Sequence, residues 1–275
     1  MVASDWTAIV LAGERPGESA FAASQNVRAK ALIPVGGVPM LARVAATLLD
    51  CPSVARIVIL AQSPDALLAD IAPWIGDSAR IRTAPAGDGI SASIAAIAGG
   101  DVAPWPVLIA TADHALLSVD MVETFLAGAA GADVAFAVAD RTTVEAAYPE
   151  TKRTWLKFSD GHFSGANLFA LATPAGRATL DFWGRVEKER KKALKLLTFF
   201  GPMLFLRAFT RTISLPKAAA RAGRSLGLDL KPVRLPFAEA AIDVDKPADL
   251  ALVQSIVAAR EPAQGRGLST GTSAG

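Results

Sequence analysis

Short apolar runs alternate with longer amphipathic stretches over the first half of the chain. The apolar runs predict five strands, at 7–11, 56–61, 80–83, 107–110 and 134–139. The stretches between them predict helices, several with Pro or Ser near the start, at 39–49, 64–75, 90–98 and 119–129. Because the runs are apolar throughout, we expect a parallel sheet covered by helices on both faces. The predicted fold class is α/β, a three-layer sandwich with a mostly parallel, Rossmann-like sheet.

The regular alternation ends after Asp140. Short strands separated by Asp-Gly and Ser-Gly turns predict a small antiparallel insertion, at 154–158, 163–164 and 168–171. Helices are predicted next, at 175–195, 201–208 and 215–225. A last strand over 241–244 leads into a helix that Pro247 begins and that ends near residue 259.

These elements predict a single domain over residues 1–260, in which 141–235 form an insertion that is largely helical. The tail at 261–275 is rich in small polar residues and is expected to be disordered. The chain has 275 residues, 52% hydrophobic and 20% charged, which excludes a largely disordered protein.

The first apolar run, at 8–12, is too short for a signal sequence or a membrane span, so we expect a cytoplasmic protein. The single cysteine, Cys51, excludes an internal disulfide and a thiolate metal cluster, and we interpret it as a core residue.

Positive charge is concentrated in one part of the chain. The formal net charge is only +2, but residues 185–234 carry +10 and the remainder carries −8. Such a block usually faces an anionic partner, and nucleic acid, anionic lipid and phosphorylated metabolites all qualify.

The first predicted strand runs into a glycine loop formed by Leu11, Ala12 and Gly13. A glycine after a buried strand lets backbone N–H groups approach a polyphosphate closely, although a plain turn is the alternative. The loop has neither the P-loop nor the Rossmann glycine pattern. Basic residues that would neutralise phosphate charge follow it, with Lys30 at the α-phosphate and two helpers: Arg15 and Arg28.

Asp113 follows the fourth predicted strand, at the carboxyl edge of the sheet. Burying a carboxylate there is costly unless it meets a cation, and Mg²⁺ accepts a few carboxylates together with phosphate oxygens. Far along the chain, period-two spacing places Asp243 and Asp245 on one face of the last predicted strand. Helix capping is the alternative role for Asp113 and Asp245.

Two segments, LAGERPG at 11–17 and KALIPVGGVPML at 30–41, together resemble the opening signature of the MobA-like NTP transferase superfamily. The resemblance implies a nucleotidyltransferase fold of the glycosyltransferase-A type, in which the glycine loop and a downstream lysine hold an NTP. The segment DVDKPADL at 243–250 resembles the superfamily's D-x-D-x-P-x-D-L signature, which implies that Asp245 is a second metal ligand beside Asp113. This chain departs from the pattern at Glu14, where a second glycine is usual.

The same resemblance implies contacts to the base and the acceptor. Segment 87–97 is similar to the base-contacting segment of related enzymes, so it implies base contacts for Gly89, Ser91 and Ser93, although a serine-capped helix start explains them equally well. Asn167 resembles a sugar-contacting asparagine. Three basic residues are candidates for an acceptor phosphate or are solvated surface charges: Lys152, Arg153 and Lys157.

A cationic turn borders an aromatic and aliphatic patch within residues 185–206. One interpretation is that this segment packs its apolar side on the domain, or on a second subunit in a homodimer. The sharper hypothesis is peripheral contact with the inner face of an anionic membrane through 185–210.

The sequence thus predicts a nucleotidyltransferase that uses Mg²⁺ or Mn²⁺ and takes an NTP as co-substrate, with CTP or GTP favoured. It joins the NMP part to a phosphorylated acceptor, a sugar, polyol or lipid-linked phosphate, and releases pyrophosphate; no nucleic acid partner is expected. Alternatives are a metal-dependent glycosyltransferase that uses a nucleotide sugar, and a non-catalytic nucleotide-binding protein. The absence of a mid-chain Asp-x-Asp motif disfavours the glycosyltransferase.

Overall fold

The computed structural model describes residues 5–14, 18–76, 78–188 and 210–260. Ten strands lie in these ranges: β1 (Trp6–Leu11), β2 (Pro34–Val35), β3 (Val38–Pro39), β4 (Val54–Ala61), β5 (Ile81–Pro85), β6 (Val107–Thr111), β7 (Val134–Asp140), β8 (Leu156–Phe158), β9 (Gly161–Leu171) and β10 (Leu230–Leu235). Eight of them form one sheet in the order β10-β7-β9-β6-β1-β4-β5, with β8 paired to β9, while β2 and β3 form a separate hairpin.

The α-helices of the described ranges are α1 (Glu18–Ser24), α2 (Met40–Asp50), α3 (Pro64–Ile75), α4 (Ile90–Ile97), α5 (Val119–Ala129), α6 (Arg141–Ala147), α7 (Arg177–Lys188), α8 (Leu215–Leu226) and α9 (Pro247–Arg260). Short 3₁₀ turns lie at Lys30–Leu32, Pro174–Gly176 and Ala238–Ala241. The five strands and four helices predicted for the first half are confirmed, two helices to the residue.

The sheet is covered on both faces, as a three-layer sandwich requires. Ala8 and Val10 of β1 pack in one apolar cluster together with residues of α2, α3 and α5. Ile9, between them, points into a second cluster with residues of α4 and α7. This alternation along one strand confirms the predicted fold class. Cys51 lies in the first cluster, and burial raises the pKa of its thiol to about 12.

Strands β1, β4, β5 and β6 are parallel, and so are β7 and β10. Between these two groups lies β9, which runs antiparallel to both β6 and β7. The carboxyl ends of β1 and β6 are directly adjacent, because Leu11 pairs with Thr111. Loops that follow these two strands therefore meet at one edge of the sheet.

The predicted antiparallel insertion is wrong in two respects. Residues 163–171 form one continuous strand, and that strand lies inside the main sheet instead of beside it. The expected turn at Ser164-Gly165 does not form because both residues pair with β7, Ser164 with Ala139 and Gly165 with Val138. Burial of Phe163, on the same strand, holds this register.

The predicted last strand over 241–244 is also wrong. A 3₁₀ turn ends at Ala241, and an irregular loop runs on to α9. Ile242 and Val244 are fully buried without sheet pairing, since the Val244 N–H donates to the Asp113 carbonyl oxygen over 3.1 Å.

Five of the described helices and strands were not predicted: α1, α6, the hairpin strands β2 and β3, and β10. The charged residues Lys231 and Arg234 interrupt the apolar pattern of β10, which is an edge strand. The predicted helix at 201–208, the end of the helix predicted to 195 and the tail at 261–275 lie outside the described residues. Among the helices that are described, none has both the length and the apolar character needed to cross a bilayer.

The position of the edge strand β10 can be tested through its packing against α5. A methyl group on Gly128 of α5 would lie 2.5 Å from a methyl carbon of Val233, whereas one on Gly184 of α7 would find its nearest neighbour at 3.8 Å. We expect Gly128→Ala to lower the free energy of unfolding by about 1–3 kcal/mol through overpacking. Gly184→Ala should raise it by up to about 1 kcal/mol, because alanine is the better helix former.

Chemical denaturation of both variants measures the difference. The double variant Gly128→Ala/Val233→Ala should lose less stability than its two single variants together. A Gly128→Ala protein as stable as Gly184→Ala would show that α5 and β10 are not packed as described.

Candidate active site

The loop after β1 is held from the side by Gln62, the residue that follows β4. The Ala12 N–H donates to the Leu60 carbonyl oxygen over 3.0 Å, which continues the pairing of β1 with β4. One step further, the Glu14 N–H donates to Gln62 Oε1 (3.1 Å) and Gln62 Nε2 donates to the Glu14 carbonyl oxygen (3.2 Å). The side-chain amide thus replaces a strand partner for the loop backbone.

Lys30 begins the short 3₁₀ turn at Lys30–Leu32 and points into the same edge of the sheet. Its Nζ donates to Asp113 Oδ2 over 2.8 Å and to Asp245 Oδ1 over 2.7 Å. Only 8% of the lysine side chain is exposed, against 21% for Asp113 and 61% for Asp245. One ammonium group therefore joins two carboxylates that are 132 positions apart in the chain.

Burial alone would lower the pKa of Lys30, but the charge and hydrogen bond of Asp113, followed by those of Asp245, outweigh it and raise the pKa above the ordinary lysine value. The ammonium is therefore charged over the whole physiological range. A charged donor between two carboxylates is the strong kind of hydrogen bond.

A second ionic network lies directly behind this one. Asp243 accepts a hydrogen bond from Asn167 Nδ2 over 2.8 Å and forms an ion pair with Arg153. Arg153 also lies 3.9 Å from Asp249, whose carboxylate accepts from the Asp245 N–H over 3.3 Å. The network ties β9, the loop before α9 and the segment after α6 together, and it fixes the backbone from which Asp245 projects.

A cavity of about 290 Å³ opens between these groups. One wall is polar, with the loop after β1 and the side chains of Glu14, Lys30, Asp113, Asn167, Asp243 and Asp245. The other wall is apolar and includes Ile90, Phe169 and Trp183. Phe169 and Trp183 meet edge to face, with ring centroids 5.3 Å apart, and the Trp183 side of the pair is 39% exposed.

The residues of this cavity fit a divalent cation. Asp113 Oδ1 is buried and has no hydrogen-bond partner, so one carboxylate oxygen remains for a further cation. Two carboxylates with open positions for phosphate and water oxygens are what Mg²⁺ prefers. No cluster of three or more His, Cys, Asp or Glu side chains occurs among the residues that could be searched, so a cage made of protein ligands alone is not formed there.

Seven of the fifteen predicted site residues come together at this edge. The cavity is lined by Leu11, Ala12, Gly13, Lys30, Asp113, Asn167 and Asp245. Arg153 is close by, but its guanidinium group is committed to Asp243 and not presented to the cavity. Arg15 lies outside the described residues, as does most of the basic segment over 185–210.

The remaining predicted residues are not brought to the cavity wall. Arg28 instead forms an exposed ion pair with Asp70 over 2.5 Å. Lys152 and Lys157 are exposed. Ser93 Oγ accepts from the Gly87 N–H and donates to the Gly89 carbonyl oxygen, so it organises the start of α4. Ser91 is buried, while Ile90 of the same turn lines the cavity.

Two features of the site were not predicted from the sequence. Gln62 lies after a plain apolar strand, and nothing in its neighbours signals a contact with the loop. The aromatic wall consists of Phe169 from a strand and Trp183 from a helix. The local sequence around each of them predicts an ordinary core residue. The sequence shows that Glu14 departs from the family pattern, but it does not show the contact that this residue makes. Glu14 Oε1 accepts a hydrogen bond from the Lys30 N–H over 2.7 Å.

The site combines a glycine loop, a lysine and two remote aspartates at the carboxyl edge of an α/β sheet. This arrangement is typical of transferases that act on nucleotides. The family model of the MobA-like NTP transferase domain matches residues 8–192. The chain belongs to this family and is by family a nucleotidyltransferase, as the resemblance predicted.

Solved structures agree with this fold. A hypothetical transferase from Thermus thermophilus is 30% identical, with a TM-score of 0.73 over 90% of this chain and 99% of that one. The 4-diphosphocytidyl-2C-methyl-D-erythritol synthase of Anaerococcus prevotii is 12% identical, with a TM-score of 0.58 over 93% and 97%. A CMP:2-keto-3-deoxy-manno-octonic acid synthetase complexed with CTP is 15% identical, with a TM-score of 0.57 over 94% and 100%. No protein in the curated set matches the chain.

The buried lysine gives a stability prediction with a matched control. Lys30→Met leaves Asp113 facing Asp245 without a cation, so we expect the free energy of unfolding to fall by about 3 kcal/mol. Arg28→Met removes an exposed pair and should cost less than about 1 kcal/mol. Urea denaturation of the two variants measures both values.

The same experiment has a pH arm. A raised lysine pKa stabilises the fold fully below the ordinary lysine pKa and loses that contribution only as the pH rises through the higher folded value. The gap between wild type and Lys30→Met should therefore be equal at pH 7 and pH 9. A gap that disappears by pH 9 would contradict the doubly paired lysine.

Proposed function

We propose that this protein transfers the NMP part of an NTP to a phosphorylated acceptor and releases pyrophosphate. The observation that carries the proposal is the contact of one buried lysine with two carboxylates at the carboxyl edge of the sheet, beside the glycine loop. Phosphoryl chemistry of this kind needs positioned charge more than it needs a nucleophilic side chain. The cavity provides positioned charge and has no serine or cysteine nucleophile among its described lining residues.

The proposed reaction is a single displacement at the α-phosphorus. An acceptor phosphate oxygen forms a bond to the α-phosphorus of the NTP, the bond from that phosphorus to the bridging oxygen breaks, and pyrophosphate leaves with the electron pair. Lys30 balances the negative charge that grows on the phosphate oxygens, and backbone N–H groups of the loop after β1 hold the triphosphate. The cavity walls align the two reactants, which is the larger part of the catalysis in such a mechanism.

Asp113 and Asp245 would hold a divalent cation, Mg²⁺ or Mn²⁺, which when bound supplies charge neutralisation for the phosphates. The unpartnered Oδ1 of Asp113 supports this role. In the protein without ligands, the Lys30 ammonium donates to both carboxylates, and a phosphate oxygen would compete with them for its N–H groups.

In this proposal the nucleotide binds on the β1–β4–β5 side of the cavity, with its base near Gly89 and Ile90 at the start of α4. The acceptor binds on the β9 side, near Asn167. CTP and GTP are the favoured NTPs, and CTP gains support from the cytidyl compounds named for two proteins of the same fold. Asn167 donates to Asp243, and this hydrogen bond fixes its side chain at the cavity wall.

A release assay tests the function directly. Each of the four NTPs is incubated with Mg²⁺ and with sugar, polyol or lipid phosphates, and pyrophosphate is measured. We expect release that depends on one NTP and on an acceptor phosphate. Turnover of a nucleotide sugar instead would indicate a glycosyltransferase, and NTP binding without any turnover would indicate a nucleotide sensor.

Substitutions at the charged cluster should abolish release without unfolding the protein. We expect Asp113→Asn and Lys30→Ala each to lower kcat/KM by about a hundredfold or more, the loss typical of one preorganised electrostatic group. Asp120→Asn and Lys217→Ala change the same residue types at exposed positions of α5 and α8 and should leave kcat/KM unchanged. Near-normal turnover in both cluster variants would refute the assignment.

A further inference from the structure

Gln62 contacts the glycine loop through both ends of its amide. Its oxygen accepts from the Glu14 N–H and its nitrogen donates to the Glu14 carbonyl oxygen, at 3.1 and 3.2 Å. The fit is close, because a methyl group on Gly13 would lie 3.2 Å from Gln62 Oε1. Gly13 therefore serves the packing of this amide as well as any approach of phosphate.

Glu14 carries the contact onward to Lys30. Its Oε1 accepts from the Lys30 N–H over 2.7 Å, across 16 positions of sequence. That N–H is the first of a 3₁₀ turn and has no partner within the turn, so the carboxylate satisfies it. The carboxylate is thereby tied to the backbone at the base of Lys30, whose ammonium group in turn holds Asp113 and Asp245.

These contacts form one continuous chain from β4 to the charged cluster. Gln62 holds the backbone of Glu14, Glu14 holds the backbone of Lys30, and Lys30 holds both aspartates. We call the contacts that join Gln62, Glu14 and Lys30 the brace. Glycine at position 14 would have no side chain for the contact with Lys30, so the brace depends on the glutamate.

We propose that Glu14 and Gln62 are positioning residues of the NTP site. They set the distance between the backbone donors of the loop and the Lys30 ammonium, and so determine NTP affinity without contact to the nucleotide. The inference rests on the proposed function, since it assumes that the loop and Lys30 bind the same triphosphate. The Lys30 N–H holds one oxygen of the Glu14 carboxylate on the backbone, which fixes the direction of this side chain.

Binding of CTP and of GTP in the presence of Mg²⁺, without acceptor, tests the proposal by titration calorimetry. Glu14→Ala and Gln62→Leu should each raise Kd about tenfold or more, the effect of losing a hydrogen bond to a charged or doubly paired group. Glu14→Gln keeps an oxygen for the Lys30 N–H and should stay within about threefold of wild type. The double variant should be less impaired than the product of the single effects, because both act through one loop.

The matched controls are Glu150→Ala and Gln254→Leu, which alter the same residue types at exposed positions and should leave Kd unchanged. A second readout needs no nucleotide. Hydrogen exchange at the Lys30 amide should be accelerated about tenfold in Glu14→Ala, while amides of the central strands keep their protection.

Tighter NTP binding by Glu14→Ala would overturn the proposal, because it would show that the carboxylate obstructs the triphosphate. Unchanged Kd in both Glu14→Ala and Gln62→Leu would overturn it as well. Failure of the proposed function looks different: wild-type protein would then bind neither nucleotide. In that case the exchange rate of the Lys30 amide alone decides whether the brace exists.

Discussion

The ion pairs of Lys30 with Asp113 and Asp245 are the interaction on which the rest of the site depends. The two carboxylates repel each other, and that of Asp113 has also lost most of its hydration, so a cation between them is stabilising. The lysine supplies that cation in the protein alone, and its own pKa is raised by the same contacts. In the function we propose, Lys30 exchanges a carboxylate for a phosphate, and this exchange couples nucleotide binding to the charge of the cluster.

The sheet makes this cluster possible by topology. Parallel pairing of β1 with β6 brings the glycine loop and Asp113 side by side. The backbone contact of Val244 with Asp113 then joins the segment before α9 to the same edge, and the network of Arg153, Asn167 and Asp243 secures it. Because Asp245 itself is the most exposed of the three charged groups, its position depends on this backbone support.

Repeated apolar runs made the sheet predictable, since their length and spacing follow directly from burial between two helical layers. The glycine loop, Lys30, Asp113 and Asp245 were predictable as candidates because their motifs are local. The features that were not predicted depend on contacts between distant segments. Strand β9 continues through Ser164 and Gly165 only because β7 pairs with it. Asp243 and Asp245 lie on a loop because Arg153 and Asn167 hold Asp243. Arg28 was predicted as a phosphate helper, whereas in this structure it is paired with Asp70 of α3.

The proposed function requires one nucleotide site built around Lys30, Asp113 and Asp245. A crystal structure of the protein with Mn²⁺ and CTP or GTP tests this requirement, because anomalous scattering locates the metal independently of the nucleotide. We expect a Mn²⁺ peak in contact with oxygens of both aspartates, and the Lys30 ammonium on a phosphate oxygen. A nucleotide and metal bound elsewhere, with Lys30 still joined to both carboxylates, would contradict the proposal.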